Sequence, residues 1–85
     1  MLFNAIVTVI LRPTILDPEG KAIEHALSSL GIGEFSRVRV GKRVELRVEA
    51  ADEASAKAAV AEACAKLLAN AVMEDYSFEI TAAGN

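Results

Sequence analysis

At 85 residues the chain has the length of one small domain, residues 1–85, near the size at which a single core leaves little net stability and help from a partner chain is expected. A hydrophobic fraction of 53% overstates that core, because sixteen of those residues are alanine and only four are aromatic. The formal net charge of -3 excludes a general polyanion binder, whose affinity would rest on neutralising phosphates with Lys and Arg.

The first predicted element is a strand from Phe3 to Arg12, apolar on both parities: Ala5, Val7, Val9 and Leu11 on one side, Ile6, Thr8 and Ile10 on the other. A strand apolar on two faces is central, and its second face wants a cover that two helices do not provide, so the cover is expected from another subunit. The apolar run Ala5 to Leu11 is too short to span a bilayer, and the start lacks a basic signal-type region, which predicts a cytoplasmic protein without membrane contact.

RPTILDPEGKAIEHALSSLG then carries a helix with both ends marked. Asp17 is the N-cap, Pro18 suits the first helical position, and Glu19 complements the positive end of the helix dipole. Ile23, Ala26, Leu27 and Leu30 form the stripe expected to be buried, and Gly31 is the left-handed stop.

In SRVRVGKRVELRVEA, Ser36 to Ala50, the apolar residues Val38, Val40, Val44, Leu46 and Val48 keep one parity through Gly41-Lys42. A two-residue turn there would put apolar and charged side chains on one face. A three-residue loop, Gly41 to Arg43, pairs Val40 with Val44 and Val38 with Leu46; a continuous strand over 37–49, completed by a second copy in a segment-swapped dimer, also keeps the face intact. The pattern leaves both open. The stretch holds five of the nine basic residues, Arg37, Arg39, Lys42, Arg43 and Arg47, read as a solvated sheet face. RNA binding is disfavoured: the outward positions carry Arg37, Arg39, Glu45, Arg47 and Glu49 in place of stacking aromatics.

A second helix starts near Asp52 and runs to about Ala69, with Ala56, Val60, Ala63, Cys64, Leu67 and Leu68 on one face and Asn70 as its left-handed end. A last strand, Tyr76 to Ile80, alternates Tyr76, Phe78 and Ile80 with Ser77 and Glu79, and the tail TAAGN reads as frayed. The order is β-α-β-(β)-α-β. It predicts an α+β fold of ferredoxin-like type, an α/β sandwich with two helices on one face of an antiparallel sheet.

No catalytic constellation emerges. His25, the single histidine, lies on the polar side of the first helix, and Cys64 lies on an alanine-rich apolar stripe, as an inert thiol would; a lone cysteine forms neither an internal disulfide nor a cysteine metal cluster. GIG at Gly31 to Gly33 follows a helix instead of opening one, so it cradles no phosphate. Glu74 and Asp75, being adjacent, point to opposite faces of a strand and do not converge as acid and base.

Three strings together carry a resemblance. RPTILDPEGKAIEHALSSLG resembles the (K/R)PGVLDPQGKAV-A-L-LG segment of the PurS family, small subunits of phosphoribosylformylglycinamidine synthase; VRVGKRVEL resembles that family's VRxGKxxEL; and CAKLLANAVMEDYSFEI resembles its CxKLLANPVIEDYxIE. The likeness spans nearly the whole chain. Thr14 stands where the family has glycine and Ala71 where it has proline, departures that touch loop geometry and no charged or core position.

The resemblance implies a noncatalytic subunit of an enzyme of de novo purine synthesis. That complex converts formylglycinamide ribonucleotide to formylglycinamidine ribonucleotide with ATP, magnesium and glutamine. Its PurL subunit binds ATP and substrate, its PurQ subunit releases ammonia from glutamine, and a PurS homodimer or higher oligomer bridges the two and helps ammonia pass, binding no cofactor itself. The residues expected at subunit contacts are those the family strings contain and the fold does not require: Arg12, Asp17, Lys42, Glu45, Asn70, Glu74, Asp75 and Tyr76. Lys42 is the sharpest of them, being a lysine on an apolar parity. Two other readings are a dimeric ACT-like regulatory module binding a small molecule, disfavoured because the loop RPTILDP has no glycine, and a compact enzyme relying on His25.

Overall fold

The computed structural model describes residues 1–83; of the tail TAAGN, Gly84 and Asn85 therefore lie outside the described residues. Its centre is the doubly apolar strand β1 (Leu2–Leu11), flanked by β2 (Gly41–Glu49) and β3 (Glu74–Ala82) in an antiparallel sheet of order β2-β1-β3. Helix α1 (Pro18–Ser29) joins β1 to β2, and α2 (Glu53–Ala63) joins β2 to β3. The last strand is longer than Tyr76 to Ile80 because Glu74 and Asp75 pair with Leu11 and Ile10, and Thr81 and Ala82 pair with Asn4 and Phe3.

The two parities of β1 have different fates. Phe3, Ala5, Val7 and Val9 are buried, Val7 completely, and each sits in a row with β2 and β3: Val7 lies between Val44 and Phe78, and Ala5 between Leu46 and Ile80. Helix α2 crosses this face with Ala56, Val60 and Cys64 turned inward, and these strand and helix side chains form the core of the chain. On the other face Thr8 and Ile10 are exposed and Ile6 is half-buried, bordered by Arg43, Glu45, Ser77 and Glu79. The uncovered second face expected from the doubly apolar strand is there.

The hairpin alternative is ruled out. Gly41, Lys42 and Val44 pair with Ile10, Val9 and Val7 within one uninterrupted strand, so Val40 and Val44 are not partners. Gly41 serves proximity instead of a turn: a Cβ there would lie 2.5 Å from the Val9 carbonyl oxygen. The preceding residues, Ser36 to Val40, run on from β2 without a sheet partner in the chain.

Helix α1 has the expected ends. Asp17 caps it, and Gly31 adopts a φ of +82° just past the C-cap Leu30. Its stripe is not buried in the single chain: Ile23 and Leu30 are 41% and 74% exposed, and Ala26 is exposed too. The helix is tied to the rest through its first turn, so its apolar side has no surface of this chain to lie on. The molecule is consequently long, 52 × 29 × 14 Å, with a radius of gyration of 16.6 Å against the roughly 12 Å of a compact chain of this length.

The second helix departs from the expected one at its end. Regular α geometry stops at Ala63, and Cys64–Leu68 form a wider π-type turn closed by the Ala69 N–H donating to the Cys64 carbonyl at 3.0 Å. The wider turn shifts the phase of the helix, so Leu67, expected on the buried face, is 82% exposed while Ala69 is buried. Among the described residues no helix is long and apolar enough to cross a membrane.

Candidate functional site

Five of the eight expected contact residues gather at one end of the sheet, where β1 leaves and β3 enters. Asn70 does not take the left-handed conformation expected of it; Arg37 is the only described non-glycine residue with positive φ. Its amide organises the turn into β3 instead. Oδ1 accepts from the Val72 and Met73 N–H groups at 2.9 and 3.3 Å, and the Asn70 N–H donates to Glu74 Oε1 at 2.7 Å. Asparagine satisfies these donors through a short side chain that mimics a backbone turn.

Arg12 closes the same turn from the other side, donating to the Ala71 carbonyl and pairing with Asp75 at 3.4 Å, while its own N–H donates to the Met73 carbonyl at 2.9 Å. Glu74 and Asp75 point to opposite faces, in register with Leu11 and Ile10, as their adjacency requires. Tyr76 lies in the row Lys42, Val9, Tyr76 on the helix side of the sheet, 40% exposed, with its ring stacked on Phe78 at 6.4 Å between centroids. A shallow cavity of about 340 Å³ opens between Arg12, Glu74, Tyr76 and the buried Cys64. Burial pushes the Cys64 thiol above its ordinary pKa, so it stays protonated and unreactive.

Around this polar network the turn presents its apolar side chains outward. Leu67, Val72 and Met73 are 82%, 78% and 41% exposed. Fixed backbone with apolar groups at the tip and charge at the rim is the composition of a protein-docking surface.

The other three expected residues lie apart. Lys42 sits opposite the buried Val9 on the helix-side face and is itself exposed, so its apolar parity is real although its own side chain stays outside the core. Glu45 is on the open face opposite Ile6, paired with Arg43 at 3.1 Å. Asp17 is buried at the foot of α1, where its carboxylate accepts from the Gly20 N–H at 2.9 Å and the Val40 N–H at 2.7 Å. It thus pins the start of the helix to the segment that leads into β2.

The Gly20 and Val40 N–H groups, and the nearby Arg39 guanidinium, hold the Asp17 carboxyl below the usual carboxylate range. The folded state therefore prefers the ionised form. Its contribution is complete above the ordinary aspartate value of 3.8, and is lost as pH falls through that value toward the lower one of the folded state. In Asp17→Asn the melting temperature is expected to drop by several degrees at about pH 6, and the gap to the parent to narrow steadily toward about pH 2, read by circular dichroism. A gap independent of pH would remove the charge from this account.

Two residues of this corner were not singled out from the sequence. Arg39, read as an outward strand position, turns back and donates to the carbonyls of Arg12 and Ile15 at 2.9 and 2.8 Å, with a longer contact of 3.4 Å to Leu11, so it holds the loop between β1 and α1. Gly20 is the contact point of α1 with Val38: a Cβ there would lie 2.2 Å from the Val38 carbonyl oxygen. A glycine inside a helix that has other good formers was the available signal. Among the described residues no group of His, Cys, Asp and Glu could hold a metal ion.

Residues 4–82 match the model of the family described as PurS, phosphoribosylformylglycinamidine (FGAM) synthase. The PurS subunit of phosphoribosylformylglycinamidine synthase from Synechocystis is 48% identical over 80 residues, covering 94% of this chain and 80% of that protein. A crystal structure of Bacillus subtilis PurS superposes with a TM-score of 0.85 at 43% identity, over 93% of this chain and 98% of that one. A chain in a structure named PurLQS from Thermotoga maritima gives 0.88 at 33% identity, over 95% and 99%. With the family model spanning nearly all its length and relatives approaching half identity, the chain belongs to the PurS family of phosphoribosylformylglycinamidine synthase subunits.

Proposed function

We propose that this protein is the noncatalytic assembly subunit of a formylglycinamidine ribonucleotide synthase in purine biosynthesis, acting in the cytoplasm as a homodimer or larger homo-oligomer that bridges a PurL-type synthetase and a PurQ-type glutaminase. The observation that carries this reading is the likeness over nearly the full chain to a PurS-length chain in the PurLQS structure. The complex uses ATP, magnesium and glutamine, and this subunit contributes geometry in place of chemistry. Holding glutaminase and synthetase in fixed register raises the local ammonia concentration at its acceptor, the gain that any tethered reactant has over a free one.

The homodimer reading is supported by apolar surface that one chain leaves bare: Leu16, Ile23, Leu30, Ile32 and Phe35 are all exposed along α1 and the loops on either side of it. An exposed patch of this kind marks an interaction surface. The segment Val38 to Val40, which leads into β2 without a sheet partner in the chain, supports a segment-swapped dimer in which the second copy pairs with it.

For the bridging contacts the reading assigns the turn organised by Asn70, with Arg12, Glu74, Asp75 and Tyr76, together with Lys42 and Glu45; Asp17 acts by fixing the start of α1 to the segment before β2. Mixed with its PurL and PurQ partners, the protein is expected to sediment as one species containing all three subunits, and Arg12→Ala to weaken that species by about tenfold or more while the isolated protein keeps its own mass. Three subunits sedimenting separately would reject the assignment.

A further inference from the structure

The sheet ends on one side at β3, whose outer edge meets no further strand among the described residues. Its residues pair with β1 in one unbroken register, with neither proline nor bulge. Two hydrogen bonds at the ends of this ladder, the Arg12 N–H donating to the Met73 carbonyl and the Ala83 N–H to the Leu2 carbonyl, fix which backbone groups face β1. Because such groups alternate in an antiparallel ladder, Asp75, Ser77, Glu79 and Thr81 bond inward, while Glu74, Tyr76, Phe78, Ile80 and Ala82 turn their N–H and C=O groups outward. The Glu74 N–H is met by the Asn70 carbonyl at 2.8 Å; those of Tyr76, Phe78 and Ile80 meet no backbone acceptor outside the sheet among the described residues.

A bare row of amides templates another strand, and natural edges are blunted against this by lysine, proline or a bulge. β3 has none of these, and its charged side chains are all carboxylates. Glu74 accepts from the Asn70 N–H and Asp75 pairs with Arg12. Glu79, exposed on the open face, makes no ion pair among the described residues. Like charges disfavour a second copy's β3 at this edge, and the segment assigned to the homodimer leads into β2, on the opposite side of the sheet. The edge is continuous instead with the turn at Asn70 assigned to bridging.

We infer that the outer edge of β3 takes an extended basic segment of a partner subunit as an added strand. Alternate residues of that segment lie beside Tyr76, Phe78 and Ile80 on the helix side, where apolar side chains fit, and beside Ser77, Glu79 and Thr81 on the open face, where a lysine or arginine meets the Glu79 carboxylate. Backbone pairing supplies the affinity and the alternation selects the partner. The inference deepens the assembly reading and rests on it only for the source of the strand.

Amide NMR of the intact, isotopically labelled protein tests the edge. In the free protein the Tyr76, Phe78 and Ile80 amides are expected to exchange with deuterium faster than those of Ser77 and Glu79. A capped hexapeptide of alternating valine and lysine should give saturable shifts and slowed exchange at those three amides, and its valine–glutamate counterpart should bind about fivefold or more weakly. Glu79→Lys is expected to reverse that preference, and Glu79→Gln, the milder variant, to erase it. In sedimentation with PurL and PurQ, Glu79→Lys should weaken the three-subunit species by about fivefold or more. Parent subunits that never associate would sink the assembly reading, and the peptide titration would still decide the edge. Amides already protected in the free protein, shifts centred away from β3, or equal binding of the two peptides would overturn the inference; so would an assembly that Glu79→Lys leaves unchanged.

Discussion

Gly20→Ala is expected to destabilise the protein by about 2 kcal/mol or more, the opposite of what the same change does in most helices. Alanine inside a helix is favoured over glycine by about 1 kcal/mol, so on local grounds the variant would be the more stable one. The neighbour reverses the sign. An added Cβ would stand 2.2 Å from the Val38 carbonyl oxygen and 3.0 Å from its carbon, both backbone atoms with no flexible end to swing aside. Either α1 or the segment 36–40 has to move, and movement there breaks the hydrogen bonds that Asp17 makes to both. Gly31→Ala is the control. Its φ of +82° costs about 1 kcal/mol for a side chain, but nothing lies within 4 Å to be displaced. Urea unfolding of the two variants should show the larger loss at Gly20; a neutral or stabilised Gly20→Ala would mean that α1 is not docked on Val38 as described.

The second large effect is expected on association. Ile23 and Leu30, both apolar and exposed on α1, are placed by the homodimer reading against a second copy. Ile23→Glu with Leu30→Glu should leave the sheet and α2 intact, because neither residue belongs to the core of the single chain. Each protomer loses two apolar anchors and gains two charges that association would have to desolvate. At about 1 kcal/mol or more for each of the four side chains involved, the dimer should weaken by about a thousandfold or more. Sedimentation at micromolar concentration would then show a folded monomer where the parent is a dimer. A double variant that kept the parent's mass would move the homo-oligomer contact away from α1.

The sheet was legible in the sequence because its physics is local. A two-residue period assigns the inward parity of β1 and β2, and the row observed, Val7 between Val44 and Phe78, joins residues of that inward parity. The helix starts were equally readable, since Asp17 and Asp52 each satisfy the free N–H groups of a first turn, at Gly20 and Ser55.

What was not legible depends on objects that the pattern does not contain. The stripe on α1 has the periodicity of a buried face, but periodicity does not say which chain covers it. The hairpin and the continuous strand share one parity through Gly41, and what separates them is the pairing of Gly41 to Val44 with β1, which the pattern does not display. The π-type turn after Ala63 shifts the phase of Leu67 by an extra residue that no composition signal marks. Arg39 looked like an outward strand residue because its partners are backbone carbonyls, which every sequence has and none displays.

The expected contact residues divide along the same line. Arg12, Asn70, Glu74, Asp75 and Tyr76 are far apart or merely adjacent in sequence, yet antiparallel pairing of β1 with β3 brings them to one end. Glu45 lies on a different face from Lys42, so a single partner engaging both would have to wrap the edge strand β2. Two partners on two surfaces is the simpler arrangement, and it is the one that a bridging subunit requires.

The central claim is that this chain supplies geometry to a reaction whose chemistry lies in its partners. It is tested most directly by formation of formylglycinamidine ribonucleotide by the PurL and PurQ partners, with and without this protein, driven in parallel by glutamine and by added ammonium. The account predicts that glutamine-driven synthesis requires this protein, while ammonium-driven synthesis by the synthetase proceeds without it. Full glutamine-driven synthesis in its absence would contradict the account.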